Sequence, residues 1–222
     1  MGRRVLLVEG KDDQHVMWNL FAAHAIPEEF AVECPAGEHD ADEDGGIDRL
    51  LEALPRWLLQ SNIKRLAVVV DANDAGPKAR WHAIRDRLVS RGYEGTTADL
   101  QDDGTIFELS VPRTPRSVRF GAWIIPDNQS SGMLEDFVAR LIAENDAMLV
   151  RTDAFLDSIP EDDRRFSPAH RSKARVHTWL AVSKRPGRPM GQAIRAEEHM
   201  DAHHPSVQHF LDWINKALVE DE

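Results

Sequence analysis

Apolar positions along this chain recur with two periods, and the period predicts the elements. Arg4-Val5-Leu6-Leu7-Val8 is a short continuous apolar run closed by Glu9-Gly10, the pattern of a buried strand. Val16, Met17, Leu20, Phe21 and Ala23 follow at helical spacing, with Asp12 or Asp13 suited to the N-cap. Phe30-Ala31-Val32-Glu33-Cys34 predicts a weaker strand closed by Pro35 and Gly37. Six acids and two glycines over 38–48 read as a mobile loop. Ile47, Leu50, Leu51, Leu54 and Leu58 predict a helix over 47–59, which Pro55 should bend or end.

The clearest strand is Arg65-Leu66-Ala67-Val68-Val69-Val70-Asp71, apolar without alternation, as a central parallel strand covered on both faces would be. Pro77 suits a helix N1 position, and Trp81, Ile84, Leu88 and Val89 give that helix an apolar face before Gly92 stops it. Strands are expected at 105–109 and 118–125, joined by a link holding Pro112 and Pro115, and then a helix at 133–143. This βαβαβα order implies an α/β sheet with helices on both faces. After Asn145 only helices are expected, at 147–156, 176–182 and 207–219, with no internal repeat. The division is therefore an α/β domain over 1–145 and a helical C-terminal extension over 146–222 packed on it.

Composition narrows the class. With 222 residues, 42% hydrophobic and 29% charged, the chain can bury a substantial core, which excludes disorder along its whole length. No uncharged apolar run approaches the roughly 20 residues of a membrane span. The N-terminal apolar run stops at Glu9, short of the roughly 7–15 residues of a secretory signal. Cys34 is the single cysteine, so no internal disulfide can form, and the expected compartment is the cytoplasm.

Charge changes the picture further. The net charge, 27 − 38 = −11, argues on average against a nucleic-acid partner. Yet 164–195 holds no acid and nine cations: Arg164, Arg165, Arg171, Lys173, Arg175, Lys184, Arg185, Arg188 and Arg195. That stretch carries +9, which leaves −11 − 9 = −20 on the rest. Such segregation could track a nucleic-acid backbone, with Lys184-Arg185-Pro186-Gly187-Arg188 as a phosphate-contacting loop. The competing reading is charge neutralisation, with the stretch docked on the acids of 38–48 or on an acidic partner.

Three acidic groups stand at strand ends, where open α/β sheets place ligands. Glu9-Gly10-Lys11-Asp12-Asp13 follows the first strand, with Asp13 one helical turn beyond Glu9. Asp71-Ala72-Asn73-Asp74-Ala75-Gly76 follows the strongest strand, and alternation puts the Asp71 and Asn73 side chains on one side about 7 Å apart. Pro126-Asp127-Asn128 follows the last strand, with Glu135-Asp136 shortly after. Hard oxygen donors so gathered suit Mg2+. Singly, Asp12, Asp127 and Asp136 read as helix caps or dipole partners. Glu9 and Asp71 are harder to explain that way. His199 and His203 have i,i+4 spacing, but Asp201 and Pro205 suggest a helix end rather than a zinc site, and Trp57, Trp81, Trp179 and Trp213 read as core.

Glu9-Gly10 after one apolar strand and Asp71-x-Asn73-x-x-Gly76 after another resemble the Toprim domain of primases, topoisomerases and overcoming-lysogenization-defect nucleases. Gly121-Ala122-Trp123-Ile124-Ile125-Pro126-Asp127-Asn128 with Gly132 to Asp136, and His177-Thr178-Trp179-Leu180-Ala181 with Gly191-Gln192-Ala193-Ile194, look like a small uncharacterised Toprim-like family. The resemblance extends from Arg4 to about Arg195. It implies a Toprim-like, mostly parallel sheet and Mg2+- or Mn2+-dependent phosphodiester chemistry on DNA or RNA. Glu9 would ligate metal or act as general acid/base, Asp13 and Asp71 would be further ligands, and Asn73 departs from the family's second Asp, with Asp74 able to substitute. Glu135 would complete the ligand set. Lys11 and Lys173 are the candidates to stabilise transition-state charge, since related nucleases use a lysine late in the domain. Arg171, Lys173, Arg175, Lys184, Arg185 and Arg188 are the expected nucleic-acid contacts. An ATPase or other protein partner and a homo-oligomer are both compatible with the resemblance. The alternatives are a catalytically silent binding or regulatory module, which Asn73 favours, and a phosphotransferase or hydrolase acting on a small nucleotide.

Overall fold

The protein is described by a computed structural model covering residues 2–35, 46–97, 99–195 and 200–220. Five strands, β1 (Arg3–Val8), β2 (Ala31–Glu33), β3 (Ile63–Asp71), β4 (Thr105–Ser110) and β5 (Ser117–Ile125), form one sheet in the order β2-β1-β3-β5-β4. β1 pairs in parallel with β2 and β3, and β3 pairs in parallel with β5. β4 runs antiparallel to β5. The reason is the link: Val111 N–H bonds Arg116 O and Thr114 N–H bonds Val111 O, a turn far too short for a parallel crossover.

Val5 to Val8 and Leu66 to Val70 have no exposure, because the two pleat faces of β1 and β3 enter different cores. Leu6, Val8, Ala67 and Val69 meet α1 (Lys11–Ala23), α4 (Leu134–Ala139), α5 (Ala147–Ser158), α6 (Arg171–Ala181), α7 (Met190–Arg195) and α8 (Gln208–Ile214). Val5, Leu7, Leu66, Val68 and Val70 meet α2 (Gly46–Leu59) and α3 (Pro77–Ser90). The continuous apolar runs are thus those of strands covered on both sides.

Several boundaries differ from the sequence-based expectation. α2 runs through Pro55 without ending, since Leu50, Leu51, Leu54 and Leu58 bury on both sides of it. Burying those leucines is worth several times the roughly 3 kcal/mol an interior proline costs. Gly46 to Asp48 belong to α2, while 36–45 of the expected acidic loop lie outside the described residues. α4 is shorter than 133–143 because the chain after Ala139 turns to pair with residue 200, Leu141 O accepting the Asp201 N–H at 2.7 Å. α7 was not anticipated. It packs on α1 through Gly191, where a Cβ would lie 2.5 Å from His15 O. α8 continues into a π-helical turn, Asn215–Val219, and its Phe210 and Trp213 sit under the sheet beside Trp123. Trp81, Trp179 and Trp213 are core residues, and Trp57 lies half-buried beneath Arg3. Among the described residues, no helix is long and apolar enough to cross a membrane.

Candidate metal centre

β1 and β3 are parallel neighbours in the register Val8↔Val69, so the residues that follow them emerge at one rim of the sheet. Glu9 leaves β1 there and Asp71 closes β3. The Asp71 N–H donates to Glu9 Oε1 at 2.8 Å, which ties the two strand ends together. Gly10 is the N-cap of α1, and Asp13, not Asp12, completes the capping box by accepting the Gly10 N–H on Oδ2 at 3.1 Å. That bond occupies one carboxylate oxygen of Asp13. The other, Oδ1, is buried with no hydrogen-bond donor, and so is Asp71 Oδ1. The Leu134 amide, entering α4, lies near enough to Asp71 to favour its charged form. Glu135, the next residue, is 5% exposed.

These four carboxylates feel one another. Burial, then the charges of Glu9 and Glu135, push the Asp13 carboxyl up to about 8. Burial followed by Asp13, Glu9 and Glu135 raises Asp71 well above the usual carboxylate range. Glu9 is raised by burial, although the Asp71 amide and the Arg80 guanidinium oppose the shift. Burial also works to raise Glu135, but the neighbouring His177 and the charge of Lys173 outweigh it and hold the carboxyl low. His177 Nε2 lies 3.6 Å from Glu135 Oε1. Unscreened like charges in a low-dielectric pocket are unfavourable unless protonated or neutralised by a cation. Among the described residues, no group of three or more His, Cys, Asp or Glu side chains is arranged as a ready metal cage. Mg2+ is commonly held by one or two carboxylates and several waters, so two orphaned buried oxygens at this rim fit such an ion chemically.

Residues 3–219 match the family model described as "Protein of unknown function (DUF3226)". The chain belongs to the DUF3226 family. No curated protein and no solved structure matches it.

The remaining expected site residues of this DUF3226 chain divide. Asn73 is half-buried in the left-handed region at φ 49°, where Asn is tolerated, and its N–H donates to Gly132 O at 2.7 Å. Asp74 is exposed. Lys11 is exposed and turns onto its own helix, donating to Gln14 Oε1 at 3.3 Å, rather than toward the acids. Asp127 holds a turn and pairs with Arg140 at 2.6 Å rather than capping a helix, whereas Asp136 caps α4 through the Met133 N–H, as a cap reading expects. Lys173 lies on α6 with His177 and acts electrostatically on Glu135.

The basic stretch is not one open field. Arg175 makes a two-pronged pair with Asp153 at 2.8 and 2.9 Å, and Arg171 pairs with Asp157 at 2.7 Å. Arg171 and Arg175, two of the expected nucleic-acid contacts, are thus paired with acids of α5 on one side of α6. Lys184, Arg185 and Arg188 lie on the exposed to half-exposed loop before α7. His203 packs its ring on His24 at 4.5 Å, and His199 lies outside the described residues. Two residues at the acidic rim had escaped sequence reasoning. Arg80 donates from Nε to Asp71 O at 2.8 Å, and His177 contacts Glu135. The only available signal was indirect: an arginine one turn into the helix after a strand-end acid loop, and a histidine four residues beyond Lys173.

Proposed function

We propose that this DUF3226 protein is a Mg2+- or Mn2+-dependent nuclease, or a related phosphodiester-processing enzyme acting on nucleic acid, with a Toprim-like acidic site. The observation that carries the reading is the pair of buried carboxylate oxygens, Asp13 Oδ1 and Asp71 Oδ1, that no protein donor satisfies. Buried polar atoms left bare are rare, and at a rim shared by four neighbouring carboxylates a hard divalent cation is the natural partner. Asp13 and Asp71 would hold it, with Glu9 and Glu135 beside them. When bound, the cation would neutralise phosphate charge and lower the pKa of a bound water. The residues themselves do the rest. Glu9 Oε1 fixes the Asp71 end of β3, and α6 brings the Lys173 charge to the Glu135 side. The fold uses no disulfide, having one cysteine, which suits the reducing cytoplasm where we place it.

The test is cleavage of single-stranded and duplex oligonucleotides while Mg2+ or Mn2+ is titrated. Cleavage should rise with the ion and fall more than about 100-fold in Asp71→Ala, whereas turnover that ignores the ion or survives the substitution rejects the reading. A silent nucleic-acid or partner-binding module is the second reading. It is favoured by Asn73, whose backbone is spent on the Gly132 bridge, and by the exposed position of Asp74. Salt-sensitive binding without metal-dependent turnover would select it.

A further inference from the structure

Arg80 sits in the first turns of α3 and reaches back to the end of β3. Its Nε donates to the Asp71 carbonyl at 2.8 Å, and its charge opposes the rise of the Glu9 carboxyl. The guanidinium is therefore at the acidic rim, only half-buried. It differs from other arginines of this chain in what it lacks. Arg3, Arg4, Arg140, Arg171 and Arg175 each end on a carboxylate, at 2.6 to 2.8 Å. Among the described residues, Arg80 has no ion pair, and its two Nη groups have no protein acceptor. One of its five N–H groups anchors it, and a planar fork of donors is left over.

We propose that Arg80 is a phosphate-contacting residue of this site, its Nη groups receiving the non-bridging oxygens of a phosphodiester laid over Glu9, Asp13 and Asp71. This rests on the phosphodiester reading and adds the group that grips the substrate. The field requires such a group. A phosphodiester approaching four carboxylates meets like charge, and a divalent ion offsets only part of it. A guanidinium whose position is fixed by a backbone bond matches phosphate geometry at low entropic cost, which a lysine does not. Lys173, from a different helix, supplies the point charge beside Glu135.

A purely structural role, pegging the end of β3, predicts different behaviour. Removing a cation from beside Glu9 makes the pocket more negative, so Arg80→Ala should bind Mn2+ as tightly as wild type or more so. Loss of catalysis without loss of metal would then be loss of substrate contact. The experiment compares wild type, Arg80→Ala and Arg80→Lys by cleavage of a labelled oligonucleotide in Mn2+, by anisotropy of the same oligonucleotide, and by Mn2+ titration followed by electron paramagnetic resonance. Arg80→Ala should lose about 30-fold or more in kcat/KM and about 10-fold in oligonucleotide affinity, with Mn2+ affinity equal or tighter. Arg80→Lys should recover only part, lacking the fork. Activity within about threefold of wild type, or a fall in Mn2+ affinity that accounts for the loss, overturns the proposal and leaves the nuclease reading intact. If wild type cleaves neither substrate, that reading fails by itself and anisotropy decides for Arg80. Binding about 10-fold weaker in Arg80→Ala then sustains the phosphate contact. Equal binding, or none by wild type, ends it.

Discussion

Asp13 is asked to do two things with one carboxylate. Oδ2 closes the capping box of α1, which fixes the side chain, and Oδ1 is left facing the other acids in a buried position. The consequence can be measured without any substrate. Its carboxyl titrates at about 8 in the folded protein against 3.8 for an unperturbed group, so the folded state holds a proton that the unfolded state releases. A raised carboxyl stabilises the fold below the unfolded value and loses that contribution as pH climbs through the folded one, so metal-free stability should fall from about pH 4 to pH 8. Glu9 and Asp71 are shifted in the same direction and steepen the fall. Asn at this position keeps a cap acceptor and removes the charge. In EDTA, Asp13→Asn should therefore show a shallower pH slope than wild type in urea melts and exceed it in stability at pH 9. Parallel curves for the two proteins would mean that Asp13 is not strained by its neighbours. Conversely, Mn2+ should stabilise wild type more at pH 8 than at pH 6, since binding displaces the shared protons, and Asp13→Asn should lose most of that gain. Glu9 and Asp71 were legible as candidates because each ends a fully apolar strand where a cap was not needed. Arg80 was not, because nothing in its spacing distinguishes a solvated helix arginine from one that turns back onto a strand carbonyl.

At the scale of elements, α6 shows how a charge run can mislead. Arg171 and Arg175 form one i,i+4 pair and Lys173 and His177 another, offset by two residues, or about 200° around the helix. The two sides meet different partners: Asp153 and Asp157 of α5 on one, Glu135 on the other. Counting cations along the chain merged these sides into a single basic tract. Separate outcomes are expected. Arg175→Ala breaks a partly exposed two-pronged pair and should cost about 1 kcal/mol in urea unfolding with little change in oligonucleotide affinity. Lys173→Ala should leave stability unchanged and lower kcat/KM about 10-fold. Reversal of that pattern would restore the basic tract and displace the acidic rim as the substrate side. The strands were legible because a two-face-buried run needs no partner to be recognised. α7 was hidden because six residues carry too little periodicity, and its placement depends on a distant element: a Cβ at Gly191 would stand 2.5 Å from His15 O in α1. Gly191→Ala should push α7 off α1 and cost about 2 kcal/mol in urea unfolding, whereas a neutral result would show that the two helices can part freely.

For the molecule as a whole, the division at residue 145 marks a change of pattern and not an independent core. The sheet face that carries Leu6, Val8, Ala67, Val69 and Trp123 is covered by residues from the far end of the chain. The Phe210 ring lies 5.3 Å from Trp123 and 5.5 Å from Phe137, and Trp213 lies 5.6 Å from Trp123. Arg4, 7% exposed in the first strand, donates to Leu218 O at 3.0 Å and Val219 O at 2.7 Å, so the first strand and the last turn are stitched together. Phe210, Leu211, Trp213, Ile214 and Leu218 are all buried, and at roughly 2 kcal/mol each their burial is worth about 10 kcal/mol. That is comparable with the net stability of an entire domain, about 5–15 kcal/mol. A fragment of residues 1–145 would also bare a contiguous apolar sheet face, which favours association over solution as a monomer. The expectation is that this fragment shows no cooperative urea transition and no near-ultraviolet dichroism from Trp123, while the full chain unfolds in one step by both probes. A fragment that melts cooperatively would establish 1–145 as a domain in its own right. The acidic rim would then be supported by the sheet, α1 and α4 without α6, and Lys173 and His177 would be additions to a site that stands without them.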